Sequence, residues 1–152
     1  MALFGKDWKP VFDTNVFASF AEYVSKDDFR KMYFSAIVLY ELVARPISQE
    51  DFNVFDSWRE KVVSENRLIV PTYDDIWTSA QAVRKMRLEE QRQHKGTTPA
   101  MKNATKFQND ALIARSAFKK GCYVVTANTK DFERLRPYMR FEFCSPQDYF
   151  SL

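Results

Sequence analysis

Short β-branched or aromatic runs alternate with segments of helical period along the whole chain, and this alternation restricts the fold more than any other feature. Lys9-Pro10-Val11-Phe12 reads as a short strand, with proline at its start, where a missing N–H does least harm. Asp13-Thr14-Asn15 are turn and cap formers, and Val16, Phe17, Phe20, Ala21 and Val24 then recur at helical spacing. Residues 32–36 read as a second strand running into a helix to about residue 44. Arg45-Pro46 ends it, because the residue before proline resists the helical region. Ser48-Gln49-Glu50-Asp51 opens a third helix, with Phe52, Phe55, Arg59 and Val62 on one side, and Leu68-Ile69-Val70 before Pro71 is a third strand. Residues 74–93 form a long helix. Residues 94–106, with Gly96, Pro99 and Asn103, form a loop. A helix over 107–120 stops at Gly121. A strand over 122–127, a short helix over 128–136 and a last strand over 141–144 complete the chain. Such alternation is the pattern of an α/β protein whose parallel sheet is covered by helices on both faces. Sheets of that kind bind ligands at the carboxyl ends of their strands.

The 152 residues suit one domain, and 45% hydrophobic with 28% charged residues excludes disorder, collagen and coiled coil. The longest clean apolar run, 36–40, ends at Glu41, too short to cross a bilayer. Met1-Ala2-Leu3-Phe4-Gly5-Lys6-Asp7 lacks the pattern of a signal peptide. Cys122 and Cys144 do not make a zinc site and read as buried thiols in strands, so the expected location is the reducing cytoplasm. His94 is the single histidine and stands in a polar loop, which argues against Ser–His–Asp chemistry. Charge is uneven: net −4 over residues 1–83, +5 over 84–106 and +2 over 107–152. The basic stretch holds Arg84, Lys85, Arg87, Arg92, Lys95, Lys102 and Lys106. It reads either as a solvated helix face with a polar loop or as a contact for a polyanion.

Three carboxylates fall on apolar faces. Asp13 follows a strand between Val11-Phe12 and Val16-Phe17, where a helix N-cap is one explanation. Glu41 shares its helical side with Ile37, Val38 and Ala44, where a salt bridge to Arg45 is one explanation. Asp110 lies among Phe107, Ile113, Ala114 and Ala117, where favour from the helix dipole is one explanation. One shared explanation covers all three. Gathered acids repel one another, and a divalent cation removes the conflict. Oxygen donors without a His or Cys cluster point to Mg²⁺ or Mn²⁺.

Val11-Phe12-Asp13-Thr14-Asn15-Val16-Phe17 resembles the opening motif of PIN-domain nucleases, especially VapC-type toxins of toxin–antitoxin pairs. The segment from Ser35 to Leu42 resembles the family's second-strand and Glu-helix motif, and Asn109-Asp110-Ala111-Leu112-Ile113-Ala114 its third acidic motif. Val124-Val125-Thr126-Ala127-Asn128-Thr129-Lys130-Asp131-Phe132 resembles its C-terminal strand-and-turn motif. The resemblance implies a single PIN-like domain over residues 9–152 after an N-terminal extension of 1–8, with a five-stranded parallel sheet. It implies a Mg²⁺- or Mn²⁺-dependent ribonuclease whose acids are Asp13, Glu41 and Asp110. A fourth family acid often falls at Asn128. Asn128 then supplies a neutral oxygen, or Asp131 reaches the metal, or the two are a capping pair. Thr14 and Thr126 are candidates for orienting water or phosphate, and Asn15 for holding the Asp13 loop. The basic stretch would hold RNA phosphates. An antitoxin partner and a homodimer are also implied, and Phe17, Phe20, Tyr23, Phe52, Phe55 and Trp58 offer either a partner groove or ordinary core. A haloacid-dehalogenase-type phosphatase needs an acid where Asn15 stands. The remaining alternative is a non-catalytic PIN-like module that binds RNA or protein.

Overall fold

The protein is described by a computed structural model over residues 4–93 and 104–152. Strand β1 (Lys9–Phe12) buries Val11 and Phe12 on opposite faces, and β4 (Cys122–Val125) does the same with Val124 and Val125. A strand apolar on both sides can only lie inside a sheet covered twice, and it does. One face packs on α5 (Tyr73–Gln93), α6 (Ala104–Lys119) and α7 (Thr129–Leu135) through Val83, Met86, Ile113, Ala114 and Phe132. The other packs through Val16, Phe34, Val62 and Cys144 on α1 (Thr14–Ser19), α4 (Gln49–Ser64) and α8 (Pro146–Phe150). Strands β2 (Phe34–Ser35), β3 (Leu68–Ile69) and β5 (Phe143–Cys144) are two residues each. Helices α2 (Lys26–Lys31) and α3 (Ala36–Val43) complete the described elements.

All pairings are parallel, but the five-stranded sheet expected from the sequence is divided. Strands β1, β4 and β5 form a three-stranded sheet in the order β1-β4-β5, and β2 and β3 form a separate pair. A single bridge, Val11 opposite Tyr33, joins them, with Tyr33 N–H donating to the Pro10 carbonyl at 2.9 Å. Two residues explain the break. Lys9 and Asp13 N–H bond toward the β4 side, so Pro10 faces β2, where its missing N–H removes a ladder donor. Ser35 accepts from Ile37 N–H at 3.2 Å and so starts α3 at once, cutting β2 short.

Other boundaries shift for local reasons. The helix expected through Val24 ends at Ser19. A 3₁₀ turn follows at Ala21–Tyr23, and a Ser25/Asp28 capping box starts α2. Helix α6 begins at Ala104, so 104–106 is helix rather than loop, and His94 and the rest of that expected loop lie outside the described residues. Gly121 has φ +68°, the left-handed stop predicted after α6. Helix α8 was not expected, although Ser145-Pro146 marks it: Ser145 accepts from Asp148 N–H and proline takes the first turn. Phe17 stacks on Phe34 with centroids 5.4 Å apart and touches Trp58, so both belong to the core, while Tyr23 and Phe52 stay exposed. Among the described residues no helix is long and apolar enough to cross a membrane.

Arg67 was not singled out in the sequence, yet it is only 7% exposed. Its Nη1 donates to the Phe29 and Met32 carbonyls at the end of α2, and its Nε to Glu65 at 2.8 Å. Arg67→Met should leave those carbonyls without donors and cost about 1–3 kcal/mol in urea denaturation. A loss under about 0.5 kcal/mol would show the contact to be dispensable.

Candidate functional site

The site is assembled at the carboxyl ends of β1 and β4, as parallel sheets favour. Asp13 N–H donates to the Val125 carbonyl and Thr126 N–H to the Cys144 carbonyl, both at 3.0 Å, so the last hydrogen bonds of the sheet fix both residues. Asp13 is fully buried and caps α1, accepting from Thr14 N–H at 2.7 Å with Oδ1. Its Oδ2 accepts from the Thr126 hydroxyl at 2.8 Å and from Asn15 Nδ2 at 3.1 Å. Asn15 Oδ1 in turn accepts from Ala127 N–H at 3.0 Å. The cap explanation for Asp13 is therefore correct and incomplete, since the same carboxylate joins two loops.

Asp110, also fully buried, reaches this centre from α6. Its Oδ2 accepts from Asn128 Nδ2 at 2.9 Å, and Lys106 Nζ stands 3.6 Å from Oδ1. Asn128 occupies the N-cap position of α7 without a side-chain cap bond; its amide bridges Asp110 and Asp131 instead, the latter also at 2.9 Å. Facing two carboxylates, that amide presents its NH₂ group rather than a ligating oxygen. Asp131 Oδ1 pairs with Arg134 at 3.0 Å, and Arg134 also holds Glu90 of α5. Glu41 is half-buried on α3, while Arg45 is exposed and exerts only the weakest of the influences on it, so a buried pair with Arg45 does not account for Glu41.

Electrostatics couple the acids. Burial, and then the nearby Asp13 charge, push the Asp110 carboxyl up to about 7, against the pull of Lys106 and the Asn128 hydrogen bond. Burial likewise raises Glu41; Lys106 opposes the rise and Asp13 adds to it. Burial pulls the Lys106 ammonium down, but Asp110, Asp13 and Glu41 together outweigh it and hold the group above its usual value. Asp110 touches Lys106, and the charges of Asp13 and Glu41 also act on it.

Asp110 Oδ1 is buried without a hydrogen-bond partner among the described residues, and the buried Glu41 Oε1 has none at close distance, with only the Thr14 hydroxyl facing the Glu41 carboxyl. Unpartnered hard oxygens in a repelling cluster are the donor chemistry a Mg²⁺- or Mn²⁺-sized cation would satisfy. The cage is not closed: among the described residues no three His, Cys, Asp or Glu stand at ligating separation. Asp13, Glu41 and Asp110 would have to draw together to hold an ion.

Of the described residues of the basic stretch, Lys106 is the one paired with a site acid. Arg84 and Lys85 are exposed on α5, Arg87 is half-buried, and Arg92 pairs with Glu89 at 2.7 Å. Lys95 and Lys102 lie outside the described residues. The role of Lys106 beside Asp110 was missed in the sequence, although its i,i+4 spacing to that acid was the available signal.

Solved structures share this architecture. The chain is similar to a chain of the DNA-bound VapBC from Salmonella typhimurium, with TM-score 0.56 and 19% identity, covering 91% of this chain and 98% of that one. It is similar to one in VapBC-1 from nontypeable Haemophilus influenzae, with TM-score 0.56 and 14% identity over 90% and 96% of the two chains. A third is FitAB bound to an IR36 DNA fragment, with TM-score 0.52 and 15% identity over 90% and 94%. No family model and no curated protein matches the sequence. At these identities the likeness establishes the fold, which this chain shares with the matched chains of the VapBC and FitAB complexes.

The raised Asp110 value carries a signed consequence. Between the ordinary 3.8 and about 7, the folded protein keeps a proton that the unfolded chain has released, so this group lowers stability as pH rises. Asp110→Asn removes the titration. Without divalent metal, the variant should gain about 2–4 kcal/mol relative to wild type between pH 4 and pH 8. A difference that stays flat in thermal melts across that range would show that Asp110 carries no such burden.

Proposed function

We propose that this protein is a metal-dependent endoribonuclease, and the toxin of a toxin–antitoxin pair. The observation that supports it best is the burial of Asp13 and Asp110 at the sheet's carboxyl edge, with an Asp110 oxygen left without a hydrogen bond among the described residues and Glu41 close enough for the charges to act on one another. The VapBC and FitAB likenesses favour the toxin assignment and an antitoxin partner.

On this reading Asp13, Glu41 and Asp110 hold Mg²⁺ or Mn²⁺, with Asp131 linked to them through Asn128. A bound divalent ion would supply an activated water and stabilise charge on the leaving oxygen of an RNA phosphodiester. The chain's own residues set the geometry. Thr126 donates its hydroxyl to Asp13 and accepts from Asn128 N–H at 3.0 Å, so it positions the carboxylate rather than the water. Thr14 has a buried hydroxyl facing the Glu41 carboxyl, and it is the better group for orienting water or a phosphate oxygen beside that acid. Asn15 ties the Asp13 loop to Ala127, keeping the two strand ends in register. Arg84 and Lys85 would meet RNA phosphates outside the site, with salt-sensitive affinity.

Purified protein should cut cellular RNA into discrete products with Mg²⁺ or Mn²⁺ and not with EDTA. Asp13→Asn and Asp110→Asn should each lower the rate by at least about a hundredfold. Intact RNA under every condition, with no metal bound, would favour the non-catalytic module that binds RNA or protein.

The homodimer belongs to the same proposal. Tyr73, Ile76 and Trp77 share one face of α5 at i, i+3 and i+4, are 79, 50 and 56% exposed, and adjoin exposed Val70 in sequence. Trp77→Glu should weaken self-association about tenfold or more in sedimentation. An unchanged dimer would assign the interface to another face.

A further inference from the structure

Lys106 is in an electrostatically poor place for its own helix. It stands in the first turn of α6, where the helix dipole is positive and where no acidic residue of that turn balances it. Its side chain is 41% exposed, so water is within reach. It nevertheless points toward the fully buried Asp110, 3.6 Å from an oxygen that accepts no hydrogen bond among the described residues. At 3.6 Å the contact is a long ion pair, weaker than a close charge-assisted hydrogen bond. The other Asp110 oxygen is fixed by Asn128, and both Asp13 oxygens are fixed by Thr14, Asn15 and Thr126. In this cluster Asp13 is held by three donors and Asp110 by one, whereas the ammonium stands no closer than 3.6 Å to Asp110 and is the part free to leave.

We propose that Lys106 is a built-in competitor for the divalent cation. Its ammonium neutralises the acidic cluster when no metal is bound, and it must move toward solvent before Asp13, Glu41 and Asp110 can close on an ion. The inference rests on the cation-site reading above and adds the internal ammonium as its regulator. Two consequences follow from charge. The lysine keeps the fold tolerant of an empty acidic site, and it raises the metal concentration needed to load that site. A displaced ammonium, tethered at the site's mouth, is also near where an anionic substrate would arrive.

The test is Mn²⁺ binding, read from the electron paramagnetic resonance signal of the free ion at fixed pH and ionic strength. Lys106→Met should half-saturate at about tenfold lower Mn²⁺ than wild type, and Lys106→Arg should remain near wild type. Equal or weaker binding by Lys106→Met, with wild type binding Mn²⁺, would overturn the competition and leave the cation site standing. No Mn²⁺ binding by wild type or either variant would overturn both. A readout on the wild-type protein covers failure of a variant to fold. Acylation of Lys106 by an N-hydroxysuccinimide ester, followed by mass spectrometry, should rise severalfold with Mn²⁺ while exposed Lys26 and Lys61 stay constant. An unchanged Lys106 rate while Mn²⁺ binds would show that the ammonium is not displaced.

Discussion

Repulsion between buried carboxylates is the constraint around which this structure is arranged. Asp13 and Asp110 are both fully buried, and Glu41 is half-buried beside them. In a poorly polarisable setting each charge makes the next more costly. The surrounding residues answer that cost in different ways. Asp13 receives three donors, from Thr14, Asn15 and Thr126. Asp110 receives one from Asn128 and the ammonium of Lys106. Glu41 receives the least: among the described residues its Oε1 has no partner at close distance, and only the Thr14 hydroxyl faces its carboxyl. The graded supply leaves the Asp110 and Glu41 end of the cluster under-satisfied. That end is where an added cation would gain most.

The sheet makes this gathering possible. Parallel strands bring their carboxyl ends to one edge, and the Asp13–Val125 and Thr126–Cys144 backbone bonds continue the ladder into the loops that carry the site. The division of the sheet does not disturb it, because Asp13, Thr126 and Asn128 all follow strands of the three-stranded part. Glu41 comes from α3, which the two-stranded part feeds, across the single Val11–Tyr33 bridge. α3 is tied instead through its side chains, since Val38 and Leu42 pack in the same cluster as Val11 and Val124.

Much of this was legible because local rules agree with the tertiary structure. Apolar residues on both sides of Val11-Phe12 and Val124-Val125 announced buried parallel strands, and Asp13, Glu41 and Asp110 stood out as charges on apolar faces. The division of the sheet was harder to read, because it depends on which edge Pro10 faces, and that requires knowing the neighbour. The break after Ser19 turned on the Ser25/Asp28 capping box outweighing a run of apolar spacing. Asn128 looked like a cap because Asn at the start of a helix usually is. Its amide goes instead to Asp110, 18 residues earlier in the chain, a contact no local pattern encodes. Lys106 was passed over because within a basic stretch it resembled its neighbours, although its i,i+4 spacing to Asp110 sets it apart from Arg84 and Lys85.

The connection from Asp131 outward extends the cluster beyond the acids. Asn128 joins Asp110 to Asp131, Asp131 joins Arg134, and Arg134 holds Glu90 of α5 with two hydrogen bonds while its guanidinium lies 5.2 Å from the centre of the Phe107 ring. This chain crosses from the buried site to the surface through α6, α7 and α5. Its outer links are solvent-exposed and individually weak. Its inner link is not, since Asn128 has two carboxylates on one amide and its backbone N–H on Thr126. Asn128 therefore sets the relative positions of Asp13, through Thr126, and of Asp110 directly. An aspartate there would place a further negative charge directly against Asp110 and Asp131, where the neutral amide now donates to both. With Asn128 the site can stay folded on one lysine; with an acid it would need more positive charge from outside.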